Sequence, residues 1–212
     1  MKKYSTIIWD FNGTIIDDVT AALGAVNDML IRRNQNPIDL DTYYKSMGVP
    51  IWKFYERVFL PGTITPQEAI AEFDSGYEKH LSKNPLMEGI VEILSLFKSM
   101  GKHQIVVSAS HVDKVKARLS ELKVLDFFSD VLAHSDYNAD SKTYLAREYF
   151  KSNNLDLYDA VVIGDSVFDF TMASELQCDC ILTTQGHQSR REFSTVDAQI
   201  IDSLYELKNI IE

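Results

Sequence analysis

Residues 7–18 read IIWDFNGTIIDD. Asn12-Gly13 between two apolar runs is the strongest short-range signal for a β-hairpin. An aspartate at the end of a strand, two residues before that turn, is equally well placed to project past a sheet edge as a nucleophile. The stretch is a turn, a catalytic loop, or both, and the rest of the chain decides which.

The β-branched run at 6–11 (TIIWDF) has counterparts at 105–108 (IVVS), 131–133 (VLA), 161–164 (VVIG) and 180–184 (CILTT), with a weaker one at 199–201 (QII). Most are continuously apolar, as strands covered on both faces must be. Helical patterns over 88–100, 112–122, 141–152, 168–177 and 203–211 fall between and after them. This alternation predicts an α/β fold: a three-layer, doubly wound parallel sheet between helices.

Residues 18–84 break that rhythm. Val19, Ala22, Leu23, Val26, Met29 and Leu30 share one helical face. Leu40, Tyr43, Tyr44 and Met47 form a second set; Ile51, Trp52, Tyr55, Val58 and Phe59 a third; Ala69, Ile70, Phe73, Tyr77 and Leu81 a fourth. Asn36-Pro37, Gly48-Val49-Pro50 and Pro61-Gly62 punctuate them. Four helices without an intervening strand predict a separate bundle inserted after the first strand. The expected division is a core of 1–16 and 86–212 and a helical insert of 17–85.

The chain has 212 residues, enough for one full core or a large unit with a small one. A net charge of −10 argues against a broad nucleic-acid or anionic-membrane surface, though local cations or a metal can still attract a small anion. No apolar run approaches the ~20 residues that cross a bilayer. The two amino-terminal lysines precede a run that Asp10 interrupts, with no small-residue cleavage site, so a first strand and a cytoplasmic location are expected. Cys178 and Cys180 are spaced too tightly in a strand to bond each other well and are expected as buried small hydrophobes.

Ligands of such sheets lie beyond the carboxyl ends of the strands. There the chain carries Asp10, Ser108, Asp165 and, four residues on, Asp169, while Lys142 opens a helix. Each has an ordinary explanation alone: a helix cap for Asp165-Ser166, a loop hydroxyl for Ser108, a solvated lysine for Lys142. Together at one edge they suit phosphoryl transfer. A carboxylate attacks phosphorus, paired acids hold Mg²⁺ through oxygen, and lysine and hydroxyl take the developing charge.

On these motifs the whole chain resembles the haloacid dehalogenase superfamily, nearest its phosphoglycolate phosphatase and β-phosphoglucomutase branch. DFNGT (10–14) is similar to its first motif, Asp-x-Asp-Gly-Thr, and IVVSAS (105–110) to its second. Lys142 stands for the third and VIGDSVFD (162–169) for the fourth, with the helical insert placed like the family's cap. The resemblance implies Asp10 as a nucleophile that becomes phosphorylated. It implies Mg²⁺ held by Asp10, Asp165 and the Asn12 backbone carbonyl, with Asp169 orienting Lys142 or a metal-bound water. It implies Ser108, Ala109 and Lys142 on the phosphoryl group of a small phosphorylated metabolite, and Thr14 bracing a small flap that leads to the cap. The opening stretch is then both turn and catalytic loop.

One position departs from the family. Asn12 stands where its phosphatases carry the aspartate that protonates the leaving group and activates water, and an amide cannot exchange that proton. A lost general acid/base costs about 10²–10⁴ in rate. Slow turnover of alkyl phosphates, rescued mainly by Asn12→Asp, is expected unless the cap supplies another acid. Asp17, Asp18 and Glu56 are the nearby acids, each expected as a solvated surface group. Two further readings differ in kind: an impaired member that only binds a phosphorylated metabolite or partner, and a phosphonoacetaldehyde-hydrolase-like enzyme using Lys53 as a Schiff base. Superfamily dehalogenases, which lack Mg²⁺, fit poorly with Asp165. Residues 48–57 of the cap are where the leaving group is expected to be read, through Trp52, Lys53 and Arg57, although Trp52 and Tyr55 also suit a bundle core. His111 is expected to start a helix, and Gly186-His187 lies at the same edge without an assigned role.

Overall fold

The computed structural model describes residues 2–48, 51–83, 85–134 and 142–212. Val49 and Pro50, from the loop expected to read the leaving group, and Ser141, the expected first residue of a helix, lie outside them.

Among the described residues, β1 (Thr6–Trp9), β2 (His103–His111), β3 (Asp130–His134), β4 (Ala160–Gly164), β5 (Asp179–Thr183) and β6 (Gln199–Ile201) form one sheet in the order β3-β2-β1-β4-β5-β6. Every pairing is parallel. The order reverses at β1, between β2 and β4, which makes that strand's carboxyl end the natural ligand crevice. Alternate residues of β1 supply the two faces: Ile7 and Trp9 enter one core with α5 (Ile90–Ser99) and α6 (Val112–Glu121), and Ile8 enters the other with α7 (Lys142–Ser152) and α8 (Val167–Leu176). A strand buried on both faces must be apolar throughout, which is why TIIW shows no alternation. The last expected helix is shorter: a 3₁₀ turn at Leu204–Glu206 leads into α9 (Leu207–Ile210).

Between β1 and α5 come α1 (Val19–Arg32), α2 (Leu40–Ser46), α3 (Trp52–Val58) and α4 (Pro66–His80). Their apolar faces close on a core of their own, with Met29, Leu30, Tyr43 and Phe54 fully buried. A Thr65–Glu68 capping box and Pro66 start α4. The third apolar set was phased differently from the fold. Phe54, absent from it, is the buried anchor of α3, whereas Ile51 and Trp52 are about half exposed, at 53% and 52%.

Two linkers join the helical unit to the sheet, and they pair with each other. Ile16 bridges antiparallel to Leu86, Asp17 N–H donates to the Pro85 carbonyl, and Met87 N–H donates to that of Ile15.

Candidate active site

The strand register sets the site. Trp9 pairs with Val106 on one side and Ile163 on the other, so Asp10, Ser108 and Asp165 emerge together at one edge. Asp10 N–H still donates to the Ile163 carbonyl, which fixes its backbone to the sheet. The chain then turns at Asn12-Gly13. Ile15 and Ile16 N–H both return to the Phe11 carbonyl, and Gly13 takes φ +76°. Since both neighbours of β1 are parallel strands, this turn makes no hairpin within the sheet; it feeds the linker instead.

Asp10, Asp165 and Asp169 are buried, and one oxygen of each lies within 4.8 Å of the others. Lys142 Nζ reaches across from α7 to Asp10 at 2.7 Å and Asp169 at 2.6 Å. Asp169 is filled by protein donors: its second oxygen accepts from the Ser166 hydroxyl at 2.6 Å and from the N–H groups of Ser166 and Asp165. It therefore positions Lys142 and caps α8. Asp165 accepts the His187 N–H at 2.5 Å. Burial raises the Asp10 carboxyl well above its usual range against the pull of Lys142, with Asp169 and Asp165 adding to the rise. Burial likewise pushes Asp165 up to about 6. Such a set of hard oxygen donors, short of positive charge, fits Mg²⁺. The backbone fits as closely: a Cβ on Gly13 would lie 2.1 Å from Asp165 Oδ2, and one on Gly186 2.2 Å from it. Only glycine lets both loops close on that carboxylate.

Ser108 is buried, its hydroxyl accepting the Ser110 N–H at 3.1 Å. Ser110 in turn donates to Asn12 Oδ1 at 3.0 Å. The other side of the Asn12 amide donates to Asp18 at 2.7 Å and contacts the Tyr77 hydroxyl at 3.2 Å. Asn12 is thus held from both ends.

Asp18 is not the solvated acid expected of it; it is 1% exposed. It collects four donors: Asn12, the Tyr77 hydroxyl at 2.7 Å, Gly13 N–H at 2.8 Å and His187 Nε2 at 3.1 Å. Burial alone would raise its pKa, but His187 and these hydrogen bonds hold it below the usual carboxylate range. His187 also meets the Tyr43 hydroxyl through Nδ1 at 2.9 Å. Burial works against its charged form, yet Asp18 and Asp165 raise it to about 9, so it is an imidazolium at neutral pH. Asp18 and His187 are residues the sequence named without a place in the site, the first expected as a solvated acid and the second given no role. The signal for His187 was its place just after β5, at the edge where ligands sit.

The other expected residues are spread out. Asp17 and Glu56 are exposed. Arg57 donates to the Ser46 and Met47 carbonyls and braces α2 against α3, and Lys53 is exposed. Ala109, Trp52 and Tyr55 line a cleft between the helical unit and the sheet edge. His111 accepts the Asp113 N–H at the start of α6, as its place before that helix implied. Thr14 does not brace the turn through its hydroxyl, which finds no hydrogen-bond partner among the described residues. Cys178 and Cys180 are free and pack against the α7–α8 core.

These shifts set a pH dependence. A raised folded-state pKa gives stability that is complete below the unfolded value and lost as pH rises through the folded one. Without divalent cation, stability is expected to fall between pH 4 and 6 as Asp165 ionises, and again between pH 6.5 and 9 as His187 deprotonates. Each step is worth about 3 kcal/mol at about 1.4 kcal/mol per pK unit. Thermal melts across that range check it. Mg²⁺ should flatten the first fall and leave the second, and His187→Gln should remove the second.

A family model described as haloacid dehalogenase-like hydrolase matches residues 7–183. Among curated proteins, phosphoglycolate phosphatase of Colwellia psychrerythraea is 23% identical over 219 residues, spanning 98% of this chain and 96% of that one. Phosphoglycolate phosphatase 1 of Pseudomonas aeruginosa is 23% identical over 95% of this chain and 77% of its own length. A haloacid dehalogenase-like family hydrolase from Streptococcus pneumoniae superposes with a TM-score of 0.84 at 19% identity, over 99% of each chain.

Proposed function

Because the chain belongs to the haloacid dehalogenase-like hydrolase family, we propose that it is a Mg²⁺-dependent phosphatase of small phosphorylated metabolites that works through a phosphorylated Asp10. Its curated relatives are phosphoglycolate phosphatases. The observation that carries the reading is Asp10 itself: a buried carboxylate 2.7 Å from Lys142, within 4.8 Å of Asp165 and Asp169, at the strand end where the sheet order reverses.

In this reading Asp10, Asp165 and the Asn12 carbonyl would hold Mg²⁺, which would supply the positive charge that lets a carboxylate and a phosphate meet. Asp10 attacks phosphorus, the ester P–O bond breaks, and the leaving oxygen departs with its electron pair. Lys142 and the Ser108 hydroxyl take charge on the phosphoryl oxygens, and the Ala109 backbone borders them. Asp169 positions Lys142. Water then displaces phosphate and restores the Asp10 carboxylate. The helical unit, 17–85, acts as a cap that pivots on the paired linkers over the core of 1–16 and 86–212, and excludes bulk water when closed. The substrate is a small phosphorylated metabolite, and the net charge of −10 speaks against nucleic acid or an anionic membrane as a partner.

Asn12 cannot serve as acid, and its amide is committed to Asp18, Tyr77 and Ser110. Substrates with good leaving groups are therefore favoured. With Mg²⁺, p-nitrophenyl phosphate is expected to turn over about 10²-fold or more faster than phosphoglycolate, the size of a missing general acid. Asn12→Asp would place a second carboxylate 2.7 Å from Asp18, and the two would share one proton. Its rescue of phosphoglycolate should accordingly grow as pH falls. Mass spectrometry of tryptic peptides after beryllofluoride or ³²P capture tests the reading directly, and absence of occupancy on Asp10 would overturn it.

A further inference from the structure

The cleft between the helical unit and the sheet edge has a volume of about 780 Å³. That is far more room than a two-carbon leaving group fills. Met47, Trp52, Tyr55 and Phe73 line it from the helical side, and Ala109 and Phe168 from the sheet side. Lys142 stands at its phosphoryl end, contacting Asp10.

A leaving group bearing a carboxylate, such as glycolate, is bound most strongly by an unpaired cation beyond the phosphate. The cleft's two lysines are already paired: Lys114 with Asp74 at 2.6 Å, and Lys142 with Asp10 and Asp169. No arginine lines it among the described residues, and residues 49–50 and 135–141 contain no lysine or arginine. Wide, aromatic walls with both lysines already paired favour an apolar leaving group.

The chemistry selects the same class independently. With Asn12 in place of an acid, the leaving oxygen must depart unprotonated. An aryl oxide does so readily because its ring delocalises the charge, and it takes its proton from water afterwards.

Resting on the phosphatase reading above, we propose that the substrates are aryl phosphomonoesters, with the aromatic ring seated in this cleft between Trp52 and Phe168 and the phosphate at Lys142. Ring recognition should be separable from leaving-group chemistry, because phenol and 2-naphthol are of nearly equal acidity while the naphthyl ring carries more apolar surface.

The test compares Mg²⁺-dependent turnover of 2-naphthyl phosphate, phenyl phosphate and phosphoglycolate, with inhibition by 2-naphthylphosphonate and methylphosphonate as a readout independent of turnover. We expect kcat/KM for the naphthyl ester to exceed that for the phenyl ester by about 10-fold, the scale of added apolar contact in a fitted pocket. The naphthylphosphonate should inhibit at least about 10-fold more tightly than the methylphosphonate. Trp52→Ala, at a half-exposed position, should lower both ratios several-fold, chiefly through KM. Equal naphthyl and phenyl values, or phosphoglycolate turned over as fast as either, would overturn the aryl assignment and leave the phosphatase reading standing. Failure of all three esters to release phosphate with Mg²⁺ would overturn both.

Discussion

Asp10→Asn is expected to lower phosphate-ester turnover by at least about 10⁴-fold, the scale seen when a nucleophile is removed from an otherwise intact site. The amide is nearly isosteric and keeps one oxygen toward Lys142, so the fold should persist. Metal-free stability should hold or rise, because the substitution removes a carboxylate that burial, Asp169 and Asp165 already disfavour in charged form. Beryllofluoride capture should vanish, while Mg²⁺ protection in thermal melts weakens without disappearing, since Asp165 and the Asn12 carbonyl remain. Activity within about 10-fold of the parent would remove Asp10 from the nucleophile's role.

Lys142→Met has the other large effect, and it concerns stability as much as rate. The ammonium is buried between Asp10 and Asp169, at 2.7 and 2.6 Å. Burial works against its charge, but the two carboxylates more than reverse that and raise its pKa. Taking one partner from a buried ionic cluster typically costs about 3–5 kcal/mol, because the charges left behind are uncompensated. For a chain of this size that lowers Tm by roughly 10 °C. Mg²⁺ should return part of the loss by supplying charge to Asp10, and adding Asp10→Asn to Lys142→Met should return more than additivity predicts. Turnover should drop by about 10²–10³-fold, as for one lost electrostatic contact to the transition state. A melt unchanged from the parent would mean the three side chains do not form one cluster.

The sheet was legible because its strands are short, wholly apolar and regularly spaced, a pattern that only a structure covered on both faces explains. Asp10, Ser108 and Asp165 followed from it, since a parallel sheet delivers every strand end to one edge. Lys142 and Asp169 lie in the first turn of the helices α7 and α8, close enough for the same rule to reach them. The phase of α3 was not legible. Seven residues make only two turns, and Ile51, Trp52 and Tyr55 fit one face as well as Phe54 fits the other. Nor could Asp18 and His187 be matched, 169 positions apart, by any local pattern. An acid beside another acid reads as solvated until the fold folds Tyr77, Gly13 and an imidazole around it. Arg57 looked like a substrate contact because a cation on a cap helix usually faces solvent; exposed though it is, its guanidinium donates to two carbonyls at the end of α2.

Only two peptide segments connect the helices to the sheet, and they are zipped to each other at Ile16 and Leu86 before either departs. The crossing is in effect a standard socket. A foreign bundle spliced between positions 17 and 85 would leave the parallel ladder untouched, but it would have to bring its own partners for Asn12, Gly13 and His187, which Asp18, Tyr77 and Tyr43 now supply. The helices are therefore exchangeable only as a cassette that carries those contacts with it.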